Sequence, residues 1–238
     1  MPELNLGDTR RNGRFISIVN NIMAQPGSSI PKQSANWYET KATYEFYSNE
    51  KLEIEKIQEA ISAYGKRRLL AQNPQTILIP HDTCSIGYTE LCADGLGYLN
   101  HGHGRGILAH NSICVSPDGY PIALLGQQLW TRDPEELGKW KKRKETAFAD
   151  KESYRWYKGI EAINTLLGKD IQKIHIADRE ADIYDLFFMN PEDNSELLIR
   201  ACHTRKTTGS NDLWNEIEGL PVTEVITLSV PDSAGKKK

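Results

Sequence analysis

The period of the apolar residues changes near Gln72-Asn73-Pro74, and this change most constrains the fold. Before it, apolar residues recur at the 3.6-residue spacing of helices in three stretches, 8–25, 35–47 and 52–70. After it, short apolar runs separated by turn residues predict strands. The expected fold class is therefore α/β, with a small all-helical N-terminal domain over 1–72 and a mixed sheet with flanking helices over 73–238.

The second part of the chain reads as strand, hairpin, helix, strand, helix, strand. Pro117-Asp118-Gly119 is a turn signal between two strand-like runs and predicts the hairpin. The predicted strands are 76–79, 107–115, 122–130, 173–177 and 196–202, with a weaker one at 222–230. The predicted helices are 153–167 and 181–189.

Charge and hydropathy exclude some classes of protein. Lys and Arg number 29 against 32 Asp and Glu, so the net charge of −3 excludes a uniformly basic nucleic-acid binder but not a local basic patch. No apolar run approaches the ~18 residues of a membrane span, and the N-terminus lacks the apolar stretch of a secretory signal. The expected location is therefore the cytoplasm, with the cysteines as reduced thiols.

Two aspartates follow apolar strands. Asp82 comes after the run ILI, and Asp178 comes after IHIA. If these strands are neighbours, both carboxylates lie at one edge of the sheet, where like charges repel unless a cation joins them. Mg²⁺ or Mn²⁺ fits such hard oxygen ligands, and phosphodiester chemistry uses that arrangement. The alternative is that each aspartate caps a turn or a helix, as Asp178 could for a helix at Ala181.

Five segments of this sequence, in order, resemble bacterial DDE transposases of the IS-four group, close to the enzyme of transposon Tn-five. IADREADIYDLF resembles the second-aspartate motif of that family, and HDTCSIGYT resembles the first, with Cys84 and Ile86 as mild departures. The other three are LGDTRRNGRFISIVNNIMAQPGSSIP, NWYETKATYEFYSNEKLEIEKI and LIRACHTRK. Together they run from about residue 4 to about residue 206.

The resemblance implies an RNase H-like catalytic domain in which Asp82 and Asp178 hold Mg²⁺ or Mn²⁺ and are the catalytic pair. The reactions would be nicking, hairpin formation and strand transfer on double-stranded DNA, both at the transposon-end inverted repeats and at the target. Arg179 and Glu180 would lie beside the metals. Residues implied to face DNA phosphate are Arg200, His203, Arg205 and Lys206. Full-length members of the family pair as dimers on DNA, and the implied location is the bacterial nucleoid.

One element of the family pattern is missing. The family requires a third carboxylate, a Glu within Tyr-x-x-Arg-x-x-x-Glu-x-x-x-x-x-x-Lys, and no glutamate after Asp178 has Tyr and Arg at those offsets. The sequence therefore predicts a truncated catalytic domain with weak metal binding and little or no catalysis. Two alternatives remain open: a non-catalytic fragment that occupies transposon ends as an inhibitor, and a standalone metal-dependent hydrolase.

The helical part carries the expected end-binding residues, which are Arg10, Arg11, Arg14 and Lys41. Their cations would neutralise DNA phosphates. The aromatic residues Trp37, Tyr44 and Phe46 are expected to pack in the core. The basic run 139–144 is interpreted as a solvated loop, with DNA contact as the alternative.

Overall fold

The computed structural model describes residues 3–88, 94–99, 104–133, 147–188, 194–209 and 211–227. The chain divides into two compact units, 1–200 and 201–238. The first unit combines helices with a mixed sheet, as the sequence predicted. The predicted division at residue 72 stays a prediction.

Four helices precede the sheet: α1 (Thr9–Ala24), α2 (Ile30–Gln33), α3 (Trp37–Tyr47) and α4 (Ile54–Leu70). The side chain of Asp8 caps α1 by accepting a hydrogen bond from the Arg10 N–H, and Asn36 caps α3 by accepting one from the Glu39 N–H. Such caps satisfy N–H groups that have no partner within the helix. The sequence predicted α1, α3 and α4 and missed the single turn of α2.

The helices enclose a small apolar cluster that includes Leu6, Ile18, Phe46 and Ala60. Of the three aromatic residues expected in the core, Phe46 is buried, whereas 76% of Trp37 and 50% of Tyr44 are exposed. The expectation was wrong for the latter two. The buried side of α3 consists of Thr40, Thr43 and Phe46, so Trp37 and Tyr44 lie on its exposed side.

Six strands form one mixed sheet: β1 (Thr76–Gly87), β2 (Gly97–Tyr98), β3 (Arg105–Val115), β4 (Pro121–Trp130), β5 (Gln172–Ala177) and β6 (Ser195–Ile199). The order is β2-β3-β1-β5-β6, and β4 pairs with β3 as the predicted hairpin. β1 is antiparallel to β3 and parallel to β5, and β5 is parallel to β6. The parallel pairing of β1, β5 and β6 therefore ends at one edge, at His81, Ala177 and Ile199.

One face of this sheet is covered by α4 and by α5 (Tyr154–Leu167). Leu69 of α4 and Ile163 of α5 share a buried cluster with Ile77 and Ile79 of β1. α4 comes so close to β4 that a Cβ on Gly65 would lie 2.9 Å from the Leu124 carbonyl oxygen. The contact requires glycine, and it ties the last N-terminal helix to the sheet.

Three predicted elements differ from the structure. β1 continues past Ile79 to Gly87 because its second half pairs with β3. The helix expected over 181–189 is instead two short 3-10 turns, Arg179–Ala181 and Tyr184–Phe188. Residues 221–227 form no strand, and 228–230 lie outside the described residues.

The second unit contains α6 (Leu213–Glu218) and an isolated bridge between Lys206 and Asp212. No disulfide bond involves Cys84, Cys114 or Cys202, the cysteines of the described residues. Within the described ranges, every helix is too short or too polar to cross a bilayer.

Candidate metal centre and nucleic-acid interface

The strand register gives Asp82 and Asp178 equivalent positions, each directly after the last residue that β1 and β5 pair with each other. The parallel pairing of β1 with β5 ends at His81 opposite Ala177, and the next residue on each strand is the aspartate. Asp82 therefore lies inside β1, not beyond the end of the strand as the sequence had suggested, because β1 continues its pairing with β3. Parallel pairing with β5 nevertheless ends just before Asp82. The position of Asp82 relative to Asp178 in the sheet therefore follows from the strand register alone.

Arg200 extends this row by one strand. The pairing of β5 with β6 ends at Ala177 opposite Ile199, so Arg200 follows as Asp178 does. The Arg200 N–H donates to the Ala177 carbonyl at 3.1 Å, which fixes the start of the segment after β6. Two carboxylates and a guanidinium thus come from three adjacent strands at one edge.

The aspartates belong to the solvent-facing side of the sheet. Side chains alternate along a strand, and Ile77, Ile79 and His81 are buried on the side that faces α4 and α5. Asp82 has the opposite direction and is exposed, and Asp178 is exposed as well. An ion can therefore reach both residues from solvent.

Asp178 also caps a turn, as the alternative interpretation proposed. Its Oδ1 accepts a hydrogen bond of 2.9 Å from the Glu180 N–H. An ionised carboxylate has about four lone-pair positions, so this hydrogen bond orients the group and leaves capacity for a cation. The cap and the metal interpretation are compatible.

The two carboxylates suit a small divalent cation. Mg²⁺ is bound in proteins through one or two carboxylates and keeps several waters. Hard oxygen ligands exposed to solvent fit that requirement and do not fit a soft metal. Asp82 and Asp178 therefore offer the type of ligand that Mg²⁺ or Mn²⁺ prefers, and a metal site between them stays a prediction.

A charged cluster that the sequence analysis missed adjoins this edge. Arg155 donates from Nε to Thr83 Oγ1 at 3.0 Å and from Nη2 to Glu180 Oε2 at 2.9 Å. Arg132 pairs with Glu152 through two hydrogen bonds of 2.7 and 2.6 Å. The sequence placed Arg155 in the predicted helix 153–167, and nothing in its spacing indicates that it meets Thr83 and Glu180.

The buried side of the same strands carries a row of polar side chains joined by hydrogen bonds. His81 Nε2 lies 2.8 Å from His175 Nδ1, and the chain continues to Ser112 Oγ at 2.9 Å and Asn164 Oδ1 at 3.1 Å. Burial lowers the pKa of His81 well below its usual value, and it lowers the pKa of His175, beside Lys173, to about 4. Neutral imidazole rings therefore lie on the buried face of the sheet, opposite the face that carries Asp82. A signal was present in the sequence, since both histidines occupy inward positions of apolar strands.

His110 is a third buried imidazole of this face. Its Nδ1 lies 2.9 Å from Thr83 Oγ1, and its ring packs edge-on against Trp156 with centroids 4.7 Å apart. Burial, and secondarily the charge of Arg155, lowers the pKa of His110 to about 4. His110 and Arg155 therefore both act on the hydroxyl that follows Asp82.

A groove between α1 and α3 holds the N-terminal basic residues. It has a volume of about 490 Å³, and Arg10, Arg11 and Arg14 line it together with Lys51 and Tyr38. The three arginines thus line one groove, and their contact with DNA stays a prediction. Lys41 is outside the lining of this groove and pairs with Glu45 at 3.7 Å.

Arg10 and Arg11 differ in what they contact. The Arg10 side chain is 92% exposed and pairs with Asp8 at 3.2 Å. The Arg11 guanidinium instead donates to the carbonyl of Leu6 and, at 3.2 Å, to that of Lys51. Arg11 therefore has a structural role in addition to any contact with a ligand.

The remaining predicted DNA contacts lie in the second unit. Lys206 pairs with Asp212 at 3.2 Å, and His203 is exposed. Together with Arg205 they stay predictions. The basic run 139–144 lies outside the described residues.

Comparison with known proteins connects the helical part to one class. Residues 1–52 match the family model described as transposase DNA-binding, which covers α1, α2, α3 and the groove between α1 and α3. The match supports a DNA-binding role of the transposase type for this chain.

Among solved structures, the chain is similar to the crystal structure of the Mos1 strand transfer complex. The identity is 11%, the similarity covers 81% of this chain and 59% of that one, and the TM-score is 0.26. At that TM-score the likeness does not establish a shared fold. The chain spans about 59% of the length of the chain that it matches there.

Proposed function

We propose that this chain is the end-binding and first catalytic part of a DDE-type DNA transposase, with an RNase H-like sheet and with Asp82 and Asp178 as metal ligands. The observation that carries the proposal is the parallel register, in which the two aspartates directly follow the last residues that β1 and β5 pair with each other. The match of residues 1–52 to a transposase DNA-binding model supports the same class. The proposed location is the bacterial nucleoid, and full-length relatives would act as dimers on DNA.

The residues at the strand edge have distinct proposed roles. Asp82 and Asp178 would hold divalent cations, whose chemistry at this edge would be activation of a water or a 3′-hydroxyl by one ion and stabilisation of the leaving oxygen by the other. Arg200, one strand further along, neutralises a DNA phosphate at that edge. The Glu180 N–H keeps the Asp178 carboxylate oriented. Positioning and charge neutralisation are the main contributions of a protein to phosphoryl transfer.

DNA affinity is proposed to come mainly from the groove between α1 and α3. Arg10 and Arg14 supply cations there, and Tyr38, of which 73% is exposed, offers an aromatic surface. The recognised partners are the inverted repeats at transposon ends, and the target DNA is the second substrate. His203, Arg205 and Lys206 are proposed as further phosphate contacts.

A second function is favoured by the incomplete ligand set. The sequence offers no glutamate in the family pattern after Asp178, so the cation would have two protein carboxylates. We therefore propose that this chain on its own binds ends and cleaves them poorly or not at all. In that form it would act as an inhibitor that occupies the ends.

DNA binding is tested by fluorescence anisotropy with a duplex that carries the inverted repeat flanking the coding sequence. The 238-residue chain should bind this duplex more tightly than an unrelated duplex of equal length. Arg10→Ala and Arg14→Ala should weaken binding. Arg67→Ala, on α4 and paired with Glu3, is the matched control and should have no effect. Equal affinity of all variants would reject the groove as the DNA site.

The metal site is tested with Mn²⁺, whose free form has a strong electron paramagnetic resonance signal. Asp82→Asn and Asp178→Asn should each abolish binding, whereas Asp118→Asn, in the β3–β4 turn, should not. Nicking of supercoiled DNA in Mg²⁺ decides between the two functions. Robust nicking that Asp82→Asn removes would favour an active nuclease, and no nicking would favour the end-binding inhibitor.

A further inference from the structure

We propose that Arg155 is a positioning residue that sets the gap between Asp82 and Asp178. The inference rests on the proposed function, because it assumes that these two aspartates share a cation. It concerns a side chain from α5, which is separate in sequence from both aspartate motifs. The guanidinium joins the backbone segments that carry the two ligands.

Each nitrogen of the Arg155 guanidinium contacts a different segment. Nε donates to Thr83 Oγ1 at 3.0 Å, and Nη2 donates to Glu180 Oε2 at 2.9 Å. Nη1 donates to the Glu152 carbonyl at 3.1 Å, at the start of its own helix. A planar fork with fixed donor directions can span such partners, and a lysine ammonium cannot.

The two outer partners act directly on the metal-binding segments. Thr83 is the residue after Asp82 in β1. Glu180 donates its backbone N–H to Asp178 Oδ1 at 2.9 Å. Arg155 therefore hydrogen-bonds the residue that follows Asp82 and the residue whose N–H orients Asp178, so a displacement of the guanidinium would alter the spacing of the two carboxylates.

The arginine is itself held firmly. Its side chain is 13% exposed, and its guanidinium carbon lies 5.7 Å from the Trp130 ring centroid and 5.5 Å from that of Trp156. One turn further along α5, a Cβ on Gly159 would meet His110 Nε2 at 3.1 Å, so the helix lies close against the sheet. Glu152 is fixed in turn by its paired hydrogen bonds from Arg132.

The charge of Arg155 and its hydrogen-bond geometry predict opposite effects of mutation on metal affinity. The positive charge of Arg155 repels a bound metal ion, so loss of that charge alone would strengthen metal binding. Loss of the fork would weaken binding, because the ligands would no longer be held at one spacing. Groups that orient metal ligands typically change affinity by about 10–100-fold when mutated.

The test measures Mn²⁺ binding to the full chain by electron paramagnetic resonance. Arg155→Lys keeps the charge and loses the fork, so it should weaken binding by about 10-fold or more. Arg155→Gln should also weaken it. Arg67→Lys makes the same exchange at an ion pair outside this cluster and should bind as wild type does.

A second variant keeps the test decisive if Arg155→Lys does not fold. Glu180 is exposed, so Glu180→Ala should fold and should weaken Mn²⁺ binding. If Glu180 acts through Arg155, the double variant should bind no more weakly than Arg155→Lys alone. Additive losses, or wild-type affinity in Glu180→Ala, would overturn the inference.

The experiments can reject the positioning role of Arg155 and the metal site separately. If wild type binds Mn²⁺, Asp82→Asn does not, and Arg155→Lys binds like wild type, the positioning role is rejected and the metal site stands. Tighter binding by Arg155→Gln would also reject it, in favour of a pure charge effect. If Asp82→Asn binds as well as wild type, the metal site is rejected and the positioning role with it.

Discussion

Arg10 and Arg11 show that neighbouring residues of the same type can have different functions. Arg10 projects into solvent from the first turn of α1, whereas Arg11 donates hydrogen bonds to the carbonyls of Leu6 and Lys51. Sequence spacing treats the two alike. The difference comes from the Leu6 carbonyl before α1 and the Lys51 carbonyl before α4, which both accept hydrogen bonds from Arg11.

We therefore expect the two alanine variants to separate binding from stability. Arg11→Ala should lower the free energy of unfolding by about 1.5–3 kcal/mol, the usual contribution of hydrogen bonds that involve a charged group. Arg10→Ala should leave unfolding unchanged and should reduce DNA affinity. Urea unfolding and anisotropy on the same samples measure both. Equal stability of the two variants would contradict a structural role for Arg11.

The buried imidazoles predict a dependence of stability on pH. His110 and His175 have folded-state pKa values of about 4, whereas an unfolded histidine titrates near 6.5. The unfolded chain therefore binds these protons first. Stability from the neutral rings is complete above pH 6.5 and is lost as the pH falls toward 4, by at most about 3 kcal/mol per ring.

Urea unfolding between pH 7 and pH 5 should reveal this loss. His110→Gln removes one of the titrating rings and should make the pH dependence shallower. His203→Gln changes an exposed histidine and should leave it as in wild type. A slope unchanged by His110→Gln would mean that the pKa of His110 is the same in the folded and the unfolded chain.

At the scale of elements, the spacing of apolar residues predicted the helices and the hairpin, because these elements depend on local sequence. The helices α1, α3, α4 and α5 and the β3–β4 hairpin all lie where the sequence placed them, within a few residues. The second half of β1 was missed because CSIG is a strand only through its pairing with β3. The helix expected after Asp178 was replaced by 3-10 turns, since Asp178 caps at Glu180 and the Ile183 N–H bonds the Ala181 carbonyl at 2.7 Å.

The residues of the candidate site were also only partly predictable from the sequence. The two aspartates could be found because each follows an apolar strand, and a resemblance to known motifs covered both segments. Arg155 could not, because its contacts with Thr83 and Glu180 join residues 72 and 25 positions apart. Contacts of that kind depend on how α5 packs over the sheet, which no local pattern records.

The contact between α4 and β4 predicts opposite effects for two identical substitutions. A Cβ on Gly65 would lie 2.9 Å from both Ala123 Cβ and the Leu124 carbonyl oxygen, whereas a Cβ on Gly13 of α1 would meet nothing within 4 Å. Gly65→Ala should therefore destabilise the chain by about 1–3 kcal/mol through overpacking. Gly13→Ala should stabilise it by about 0.5–1 kcal/mol, the usual gain in a helix interior. Thermal or urea unfolding compares them, and stabilisation by Gly65→Ala would mean that α4 does not pack on β4 this closely.

At the scale of the whole molecule, the charge is distributed unevenly. A net charge of −3 gives no general attraction to DNA, so affinity has to come from local groups. The groove between α1 and α3 concentrates three arginines and Lys51, and the strand edge combines Arg200 with two aspartates that a divalent cation would neutralise. Binding at the groove should therefore be independent of divalent metal, and engagement of the strand edge should require it.

The salt dependence of DNA binding measures the groove separately. For duplex DNA, the slope of log K against log salt concentration changes by about 0.9 for each phosphate contact. The double variant Arg10→Ala, Arg14→Ala should thus reduce the magnitude of the slope by up to about 1.8 in metal-free buffer. Lys169→Ala, an exposed cation after α5, should leave the slope unchanged. If the affinity falls while the slope stays constant, the two arginines contact bases and other groups, and the phosphates are neutralised elsewhere on the chain.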